Sequence, residues 1–451
     1  MNVKVEINGI DSNISTTETG IVVSKDGEEE KYAFQDIIGV EAKPNRRDFI
    51  LHYMKDHPFP NNKLTREVLC FTSEEKASSI LQTEIKDRIQ KETERPQKLA
   101  VFVNPIGGKG KGKQICDTEV VPLLELAGIQ VDVVVSERAG HFKDLTKSHD
   151  FEGVDGLVIM GGDGTVSEIM NVLIRETQIK AGLDYNDSNS DIKKTDLPIG
   201  VIPTGSACGF AKVCYGVSDI ITSTLHIIRG KKDFISTVGG FNTNKLIGYG
   251  VMCFGYGMYA DLMYDTDVHF RWLRTLRYLF VPLWHLFVKS QRELDVEITY
   301  EYIDGSEPND LSESEKLSLK ATRRKRIINV VGSAADLEFH NSPFNQQPEL
   351  KDQFQMFEYY KCGGLELLKH FSRLSQLSME QLESEKHFVT HSKIKSVRIQ
   401  ATEDNPSHDR ELNLRFNIDG ETHVMETPDV YIRIFPRSIT VYTSYKGSRH
   451  W

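Results

Sequence analysis

Three times between residues 98 and 212 a short apolar run ends in a cluster of small residues and gives way to a helical pattern. Leu99-Ala100-Val101-Phe102-Val103 leads into Asn104-Pro105-Ile106-Gly107-Gly108-Lys109-Gly110-Lys111-Gly112-Lys113. Gly156-Leu157-Val158-Ile159 leads into Met160-Gly161-Gly162-Asp163-Gly164-Thr165. Ile199-Gly200-Val201-Ile202 leads into Pro203-Thr204-Gly205-Ser206-Ala207-Cys208-Gly209-Phe210-Ala211-Lys212. With a further strand at 131–135 and helices over 120–126, 143–148 and 166–175, this alternation predicts a parallel sheet covered on both faces. The turns then share the carboxyl edge of the sheet, where α/β folds bind ligands. Glycines let the backbone approach a ligand closely, and each following helix offers unpaired N–H groups to a phosphate. Asp163, a carboxylate inside the second turn, stands where a base for a hydroxyl nucleophile is useful. The pattern predicts phosphoryl transfer from a nucleotide.

The rest of the chain limits the alternatives. Its 451 residues leave room for two to four domains. A formal charge of −10 argues against nucleic acid as a partner, which calls for a basic footprint. Cys70, Cys116, Cys208, Cys214, Cys253 and Cys362 form no CxxC pair, so reduced thiols are expected and no metal-ligand spacing appears. Met1-Asn2-Val3-Lys4-Val5-Glu6 lacks a signal-peptide pattern. The apolar run at 278–288 contains Pro282 and falls short of the roughly 20 residues of a spanning helix. A cytoplasmic protein, peripherally attached to a membrane, is the expectation.

Three regions are predicted. Residues 1–95 read as strands (20–24, 36–42, 49–53, 67–71) capped by a helix at 73–91, a small pleckstrin-homology-like β module. Residues 96–232 form the α/β nucleotide-binding domain, with a polar insertion at 180–195. Residues 233–451 turn β-rich, with strands at 246–254, 294–302, 326–331, 354–360, 396–399, 412–418 and 430–435. A mostly antiparallel β-sandwich, interrupted by the aromatic stretch 268–290, is expected there. Within it Trp272–Phe287 reads first as core packing, with acyl-chain contact as the alternative. The basic run Arg323-Arg324-Lys325-Arg326 reads first as a solvated loop, with anionic lipid as its alternative partner.

Taken singly, the turns are weak signals. The first is not a Walker A loop, because Gly112-Lys113 is followed by Gln114. Taken in order, the motifs resemble the diacylglycerol, sphingosine and ceramide lipid kinase family, and most of all its ceramide kinases. The residues that carry this are Asn104-Pro105-x-Gly107-Gly108, Gly161-Gly162-Asp163-Gly164-Thr165-x-x-Glu168 and Pro203-Thr204-Gly205-Ser206. Downstream come Gly255-Tyr256-Gly257-Met258-Tyr259-Ala260-Asp261, 271–277 and Ile418-Asp419-Gly420-Glu421. The resemblance covers about residues 98–445 and implies a fold like that of phosphofructokinase and NAD kinase for the α/β domain. It implies Asp163 as the base that takes the proton of the lipid's primary hydroxyl. Asn104, Pro105, Ile106, Gly107, Gly108, Ser136, Gly161, Gly162, Gly164, Thr165, Glu168, Thr204, Gly205 and Ser206 would bind the nucleotide. Arg271 and Arg277 would reach its phosphates, and Asp419, Gly420 and Glu421 would close the site. Gly161, Gly162, Asp163, Gly164 and Asp261 would meet the lipid.

ATP with Mg²⁺ and ceramide are thus the implied cofactors and substrate; calcium stimulation and a calmodulin partner stay open, as do the metal ligands. Two departures bear on the substrate. The cysteine motif that vertebrate ceramide kinases carry before the second-domain strands is missing at 312–326. Leu262-Met263-Tyr264 follow Asp261 where sphingosine kinases place an acidic residue for the substrate ammonium, and an apolar register suits a neutral amide lipid better. Sphingosine kinase, diacylglycerol kinase and an inactive lipid-binding scaffold remain the alternatives. Deleting residues 1–95 is expected to weaken vesicle binding more than chemistry.

Overall fold

A computed structural model describes residues 2–444 except 8–9, 26, 45–46, 58–62, 206–207, 290, 304–310, 334–351, 374–384 and 403–410. The chain begins with seven strands, β1 (Asn2–Ile7), β2 (Ile10–Thr16), β3 (Gly20–Lys25), β4 (Glu28–Ala33), β5 (Ile37–Ala42), β6 (Asp48–Asp56) and β7 (Leu64–Thr72). They form one antiparallel sheet in the order β4-β3-β2-β1-β7-β6-β5. Helix α1 (Glu75–Glu92) follows and lays Leu81, Ile85 and Ile89, four residues apart, into a core with Phe34, Phe49 and Phe71. Three of these strands escaped the sequence reading: β2 and β4 are largely polar, β4 burying only Tyr32, whereas β1 alternates buried Val3, Val5 and Ile7 with polar residues.

The next four strands, β8 (Lys98–Val103), β9 (Gln130–Val135), β10 (Gly156–Gly161) and β11 (Ile199–Pro203), are parallel in the order β11-β10-β8-β9. Every residue of β10 is buried, as expected of a strand covered on both faces. The helices are α2 (Gly112–Ile115), α3 (Val121–Leu126), α4 (His141–Ser148), α5 (Asp163–Lys180), α6 (Gly209–Tyr215) and α7 (Ile220–Arg229). A π-helical turn at Cys116–Val120 joins α2 to α3.

The remainder adds β12 (Lys232–Asn242), β13 (Lys245–Gly250), β14 (Phe254–Gly257), α8 (Met258–Val268), α9 (Arg277–Phe287) and β15 (Leu294–Glu301). Then come α10 (Glu313–Ser318), β16 (Lys320–Ile327), β17 (Asn329–Ser333), β18 (Phe354–Tyr359), α11 (Gly364–Arg373), β19 (Val389–Ile394) and β20 (Ser396–Ala401). Strands β21 (Arg415–Ile418), β22 (Glu421–Val424) and β23 (Asp429–Tyr442) complete the order. One sheet, β19-β18-β17-β14-β21-β22, faces another that begins β16-β15-β20-β23. Phe254, Tyr256, Phe354 and Phe416 from the first pack with Val296, Ile298, Ile399 and Ile432 from the second.

The expected boundary at 232/233 is not a break between sheets. The far end of β23 pairs in parallel with β11, Val441 against Ile199, while its length runs antiparallel to β12 and β20. A single ten-stranded sheet therefore passes through both regions. The basic run is a strand, not a loop, and its charges are matched: Arg323 with Glu315, Arg324 with Glu297, Lys325 with Glu358 and Arg326 with Asp295. Cations neutralised in this way leave little for an anionic lipid.

Core packing of the aromatic stretch holds for Val281 and His285, which are buried, but fails for its outer face. Val268, Trp272, Leu276, Tyr278, Leu279, Phe280, Phe287 and Val288 are all exposed.

Candidate active site

The three small-residue turns interlock at the carboxyl edge of the parallel strands. Asn104 leaves β8 with its N–H donated to the Met160 carbonyl (2.9 Å). Its side-chain oxygen accepts from the N–H groups of Ile106 and Gly107, and its amide donates to Thr165 Oγ1 at 2.9 Å. One side chain thus shapes the first turn and ties it to the second. Gly108, at φ 58°, approaches the third turn so closely that a Cβ would fall 2.5 Å from the Thr204 carbonyl oxygen. Gly205 likewise leaves no room for a Cβ, which would lie 2.5 Å from Gly162 Cα. The N–H groups of Thr204 and Gly205 both donate to the Gly161 carbonyl. Ile106 projects from this platform at 76% exposure, and Ser136 follows β9 with its N–H on the Val103 carbonyl. Ser206 lies outside the described residues.

Asp163 is the first residue of α5, half-buried beside this platform. Its two oxygens accept the N–H groups of Gly209 (2.9 Å) and Phe210 (3.0 Å), the first two amides of α6. Those donors have no partner within their own helix, so the carboxylate caps α6 and is itself held in one orientation. Each oxygen keeps a lone pair for a substrate hydroxyl. No motif in the sequence marks this amide pair, because the donors are backbone.

The second wall of the cleft comes from β21–β22 and the α8–α9 region. Desolvation raises the Glu421 carboxyl above the usual glutamate range, with the Lys143 charge opposing and those of Glu168 and Asp267 adding to the rise. Glu168 also accepts the Lys143 N–H at 3.2 Å. The charges of Lys143, Glu168 and Asp267 all reach Glu421, and of these Lys143 is the one that sequence reasoning did not single out. Arg277 joins them through Asp267 at 3.4 Å; its Nε is buried without a hydrogen-bond partner. Arg271 opens a 3-10 turn (Arg271–Leu276) and stands exposed, so the two arginines leave the backbone from different elements.

Burial bears on two of the expected contacts. Asp419 is 7% exposed and its carboxylate is taken by the backbone N–H groups of Val251, Met252 and Cys253 at 2.8–2.9 Å, so it has no free face for a nucleotide. Asp261 is 3% exposed and bound by Arg292 at 3.1 Å, with Arg415 at 3.6 Å, so it offers no direct contact to a lipid. Burial raises its carboxyl against the opposing charges of Arg292, Lys289 and Arg415. Burial also pushes Asp265 up, but hydrogen bonds from His285 and Lys289 outweigh it and bring that carboxyl down to about 2. Each α8 carboxylate thus has a cation beside it, Asp261 and Asp265 inside and Asp267 with Arg277, although Asp261 Oδ1 keeps no hydrogen-bond partner.

Among the described residues no three His, Cys, Asp or Glu side chains gather into a metal site, and no helix is long and apolar enough to cross a membrane. The donor set suits a Mg²⁺ carried by nucleotide phosphates, which needs few protein ligands.

Residues 98–238 match the family described as the diacylglycerol kinase catalytic domain. Human ceramide kinase is 40% identical over 207 residues, which are 45% of this chain and 37% of that protein. Mouse ceramide kinase is 36% identical over 239 residues, 52% of this chain and 44% of that protein. Sphingosine kinase 1 of Arabidopsis thaliana is 34% identical over 188 residues, 41% of this chain and 36% of that protein. Each match spans less than half of the relative. A putative diacylglycerol kinase from Bacillus anthracis str. Sterne shares the fold with a TM-score of 0.53 at 17% identity, covering 78% of this chain and 96% of that one.

Proposed function

Because the chain carries a diacylglycerol kinase catalytic domain at residues 98–238, we propose that it is an ATP-dependent lipid kinase that phosphorylates the primary hydroxyl of ceramide. The observation that carries the reading is the Asp163 carboxylate, fixed by two amides beside three interlocked phosphate-type turns. Phosphoryl transfer needs chiefly positioning and charge neutralisation. Asn104, Gly107, Gly108, Gly161, Gly162, Gly164, Thr165, Thr204, Gly205 and Ser206 would line the nucleotide, with Pro105, Ile106 and Ser136 at its base. Arg271, Arg277 and Lys143 would face the phosphates, while Glu168, Gly420 and Glu421 close the cleft. Asp163 takes the hydroxyl proton as oxygen attacks the γ-phosphorus, and ADP leaves. Mg²⁺, when bound with ATP, neutralises the phosphate charge; the residues above only orient it. Asp261 would act by holding α8 in place.

Ceramide is favoured over sphingosine by the apolar Leu262-Met263-Tyr264 register after Asp261, and because each α8 carboxylate already has a cationic neighbour. Labelled ATP offered with ceramide, sphingosine and diacylglycerol side by side should put label into ceramide first. Preferential labelling of either other lipid overturns that assignment.

The exposed apolar face of 268–288 suits an anionic bilayer from which such a substrate would be drawn. Arg271 stands exposed in a stretch, 268–288, that holds no Asp or Glu, while Arg277, Lys289 and Arg292 are already matched by Asp267, Asp265 and Asp261. Trp272 and Tyr278 add the side chains favoured at membrane interfaces. Leu276→Glu with Leu279→Glu should cut partition into phosphatidylserine vesicles about tenfold or more, since each lost leucine removes roughly 1.5–3 kcal/mol of burial. Unchanged cosedimentation would contradict this surface. The N-terminal sheet order, closed by α1, supports the pleckstrin-like reading of that module.

A further inference from the structure

The turn between β21 and β22 holds a charge that its conformation does not require. Ile418 pairs with Glu421, leaving Asp419 (φ 49°) and Gly420 (φ 88°) as a two-residue loop. Both angles are those of a type I′ hairpin, which asparagine serves as well as aspartate. Yet the Asp419 carboxylate reaches out of its turn. Oδ2 accepts from Val251 at 2.8 Å, and Oδ1 accepts from Met252 and Cys253 at 2.8 and 2.9 Å. The Asp419 N–H returns a bond to the Cys253 carbonyl at 2.8 Å. Donors converging on both oxygens need a carboxylate, because a side-chain amide has only one acceptor oxygen.

Residues 251–253 are the crossing from β13 in the ten-stranded sheet to β14 in the six-stranded one. At its middle, Met252 rests on Gly209: a Cβ there would fall 2.8 Å from Met252 Cε. Gly209 is one of the two residues whose N–H groups hold Asp163. A continuous path therefore runs from Asp419 through Met252 and Gly209 to Asp163.

We propose that Asp419 is a positioning residue for Asp163: by pinning 251–253 it seats Met252 against Gly209 and so fixes the amides on which the base rests. This rests on the lipid kinase reading and replaces the nucleotide contact expected of Asp419. The two carboxylates also sense each other. Burial pushes the Asp419 carboxyl up to about 6, the three amides pull it back only in part, and the Asp163 charge adds to the rise. The other groups facing it are the Cys253 thiol in the crossing and the Tyr259 hydroxyl of α8, 3.2 Å apart and both pushed up by burial. None of these supplies a positive charge. As pH falls through about 6, Asp419 takes a proton and loses an acceptor site.

Asp419→Asn and Met252→Ala in the full chain, alone and combined, test the path. Each should lower kcat about 10- to 100-fold with KM for ATP and lipid little changed, the scale expected of a misplaced catalytic group. The double variant should be no worse than the poorer single one, because both break one linkage. Hydrogen exchange over residues 208–211 should quicken in every variant by more than the change in global stability read from the melting temperature explains. The acid limb of kcat near pH 6 should vanish in Asp419→Asn. Additive losses, or unaltered exchange at 208–211, overturn the proposal. So does a fall in melting temperature that accounts for the whole activity loss. The exchange measurement needs no substrate, so a wild-type protein that phosphorylates no lipid defeats the functional reading while the linkage is still decided.

Discussion

Asp163→Asn is expected to lower kcat about a thousandfold while ATP affinity stays within the error of calorimetry. Two effects act together, and their sizes decide which is seen. Asparagine keeps one acceptor for the amides of Gly209 and Phe210 and turns an NH₂ toward the other. Losing that cap costs about 0.5–2 kcal/mol of stability. Losing the proton acceptor removes a contribution of about 10²–10⁴ in rate, or roughly 3–5 kcal/mol of barrier. Chemistry therefore collapses while the protein stays folded. The nucleotide turns are shaped by Asn104, Gly108 and Gly205, none of which leans on the Asp163 side chain. Single-turnover phosphorylation and ATP titration on the same preparation check both halves. Near-normal turnover removes Asp163 from its role; lost ATP binding shows that it shapes the nucleotide site instead.

How much of this was legible follows from where each signal resides. The three turns could be read because glycine and small-residue clusters are local, and each follows an apolar strand. Their interlocking follows from parallel pairing of β8, β10 and β11, which the alternation already implies. The hold on Asp163 could not be read, since its donors are backbone N–H groups of a distant helix. Neither could the double life of β23, whose partners β11, β12 and β20 lie far apart in sequence. The stretch 268–288 was misjudged for a different reason. Hydrophobicity alone does not say which side faces water, and the telling signal was its lack of acidic residues. In α8, Asp261 and Asp265 are four apart and share the inner face, whereas Asp267 falls on another. On that periodicity Asp267, not Asp261, is the α8 carboxylate on the exposed side.

Arg95→Ala is expected to destabilise the whole protein by about 3 kcal/mol or more, and removal of residues 1–95 to yield insoluble protein. Arg95 is 7% exposed, and its guanidinium donates to the carbonyls of Ile37 and Ile38 on one side and Ala127 on the other. Burial draws its pKa down to about 10, so it remains charged at neutral pH. Alanine leaves buried carbonyls without these donors, at about 1–3 kcal/mol each. Lysine cannot span three acceptors with one ammonium and should rescue little. Around this residue the N-terminal sheet is joined to the catalytic region. Arg229 pairs with Asp36 at 2.8 Å, and Thr222 Oγ1, whose proton goes to Asp219 at 2.8 Å, accepts from the Leu64 N–H at 3.2 Å. Ile38, Met54 and Leu64 belong to the same apolar core as β8 and β10. Deletion of residues 1–95 would strip that core, so it cannot separate vesicle binding from chemistry as the sequence reading expected. A full-length Arg95→Ala protein should melt at a lower temperature in one transition that carries both regions down together. Two separate transitions, or a soluble 96–451 fragment with the parent melting temperature, would show the N-terminal sheet to be an independent module.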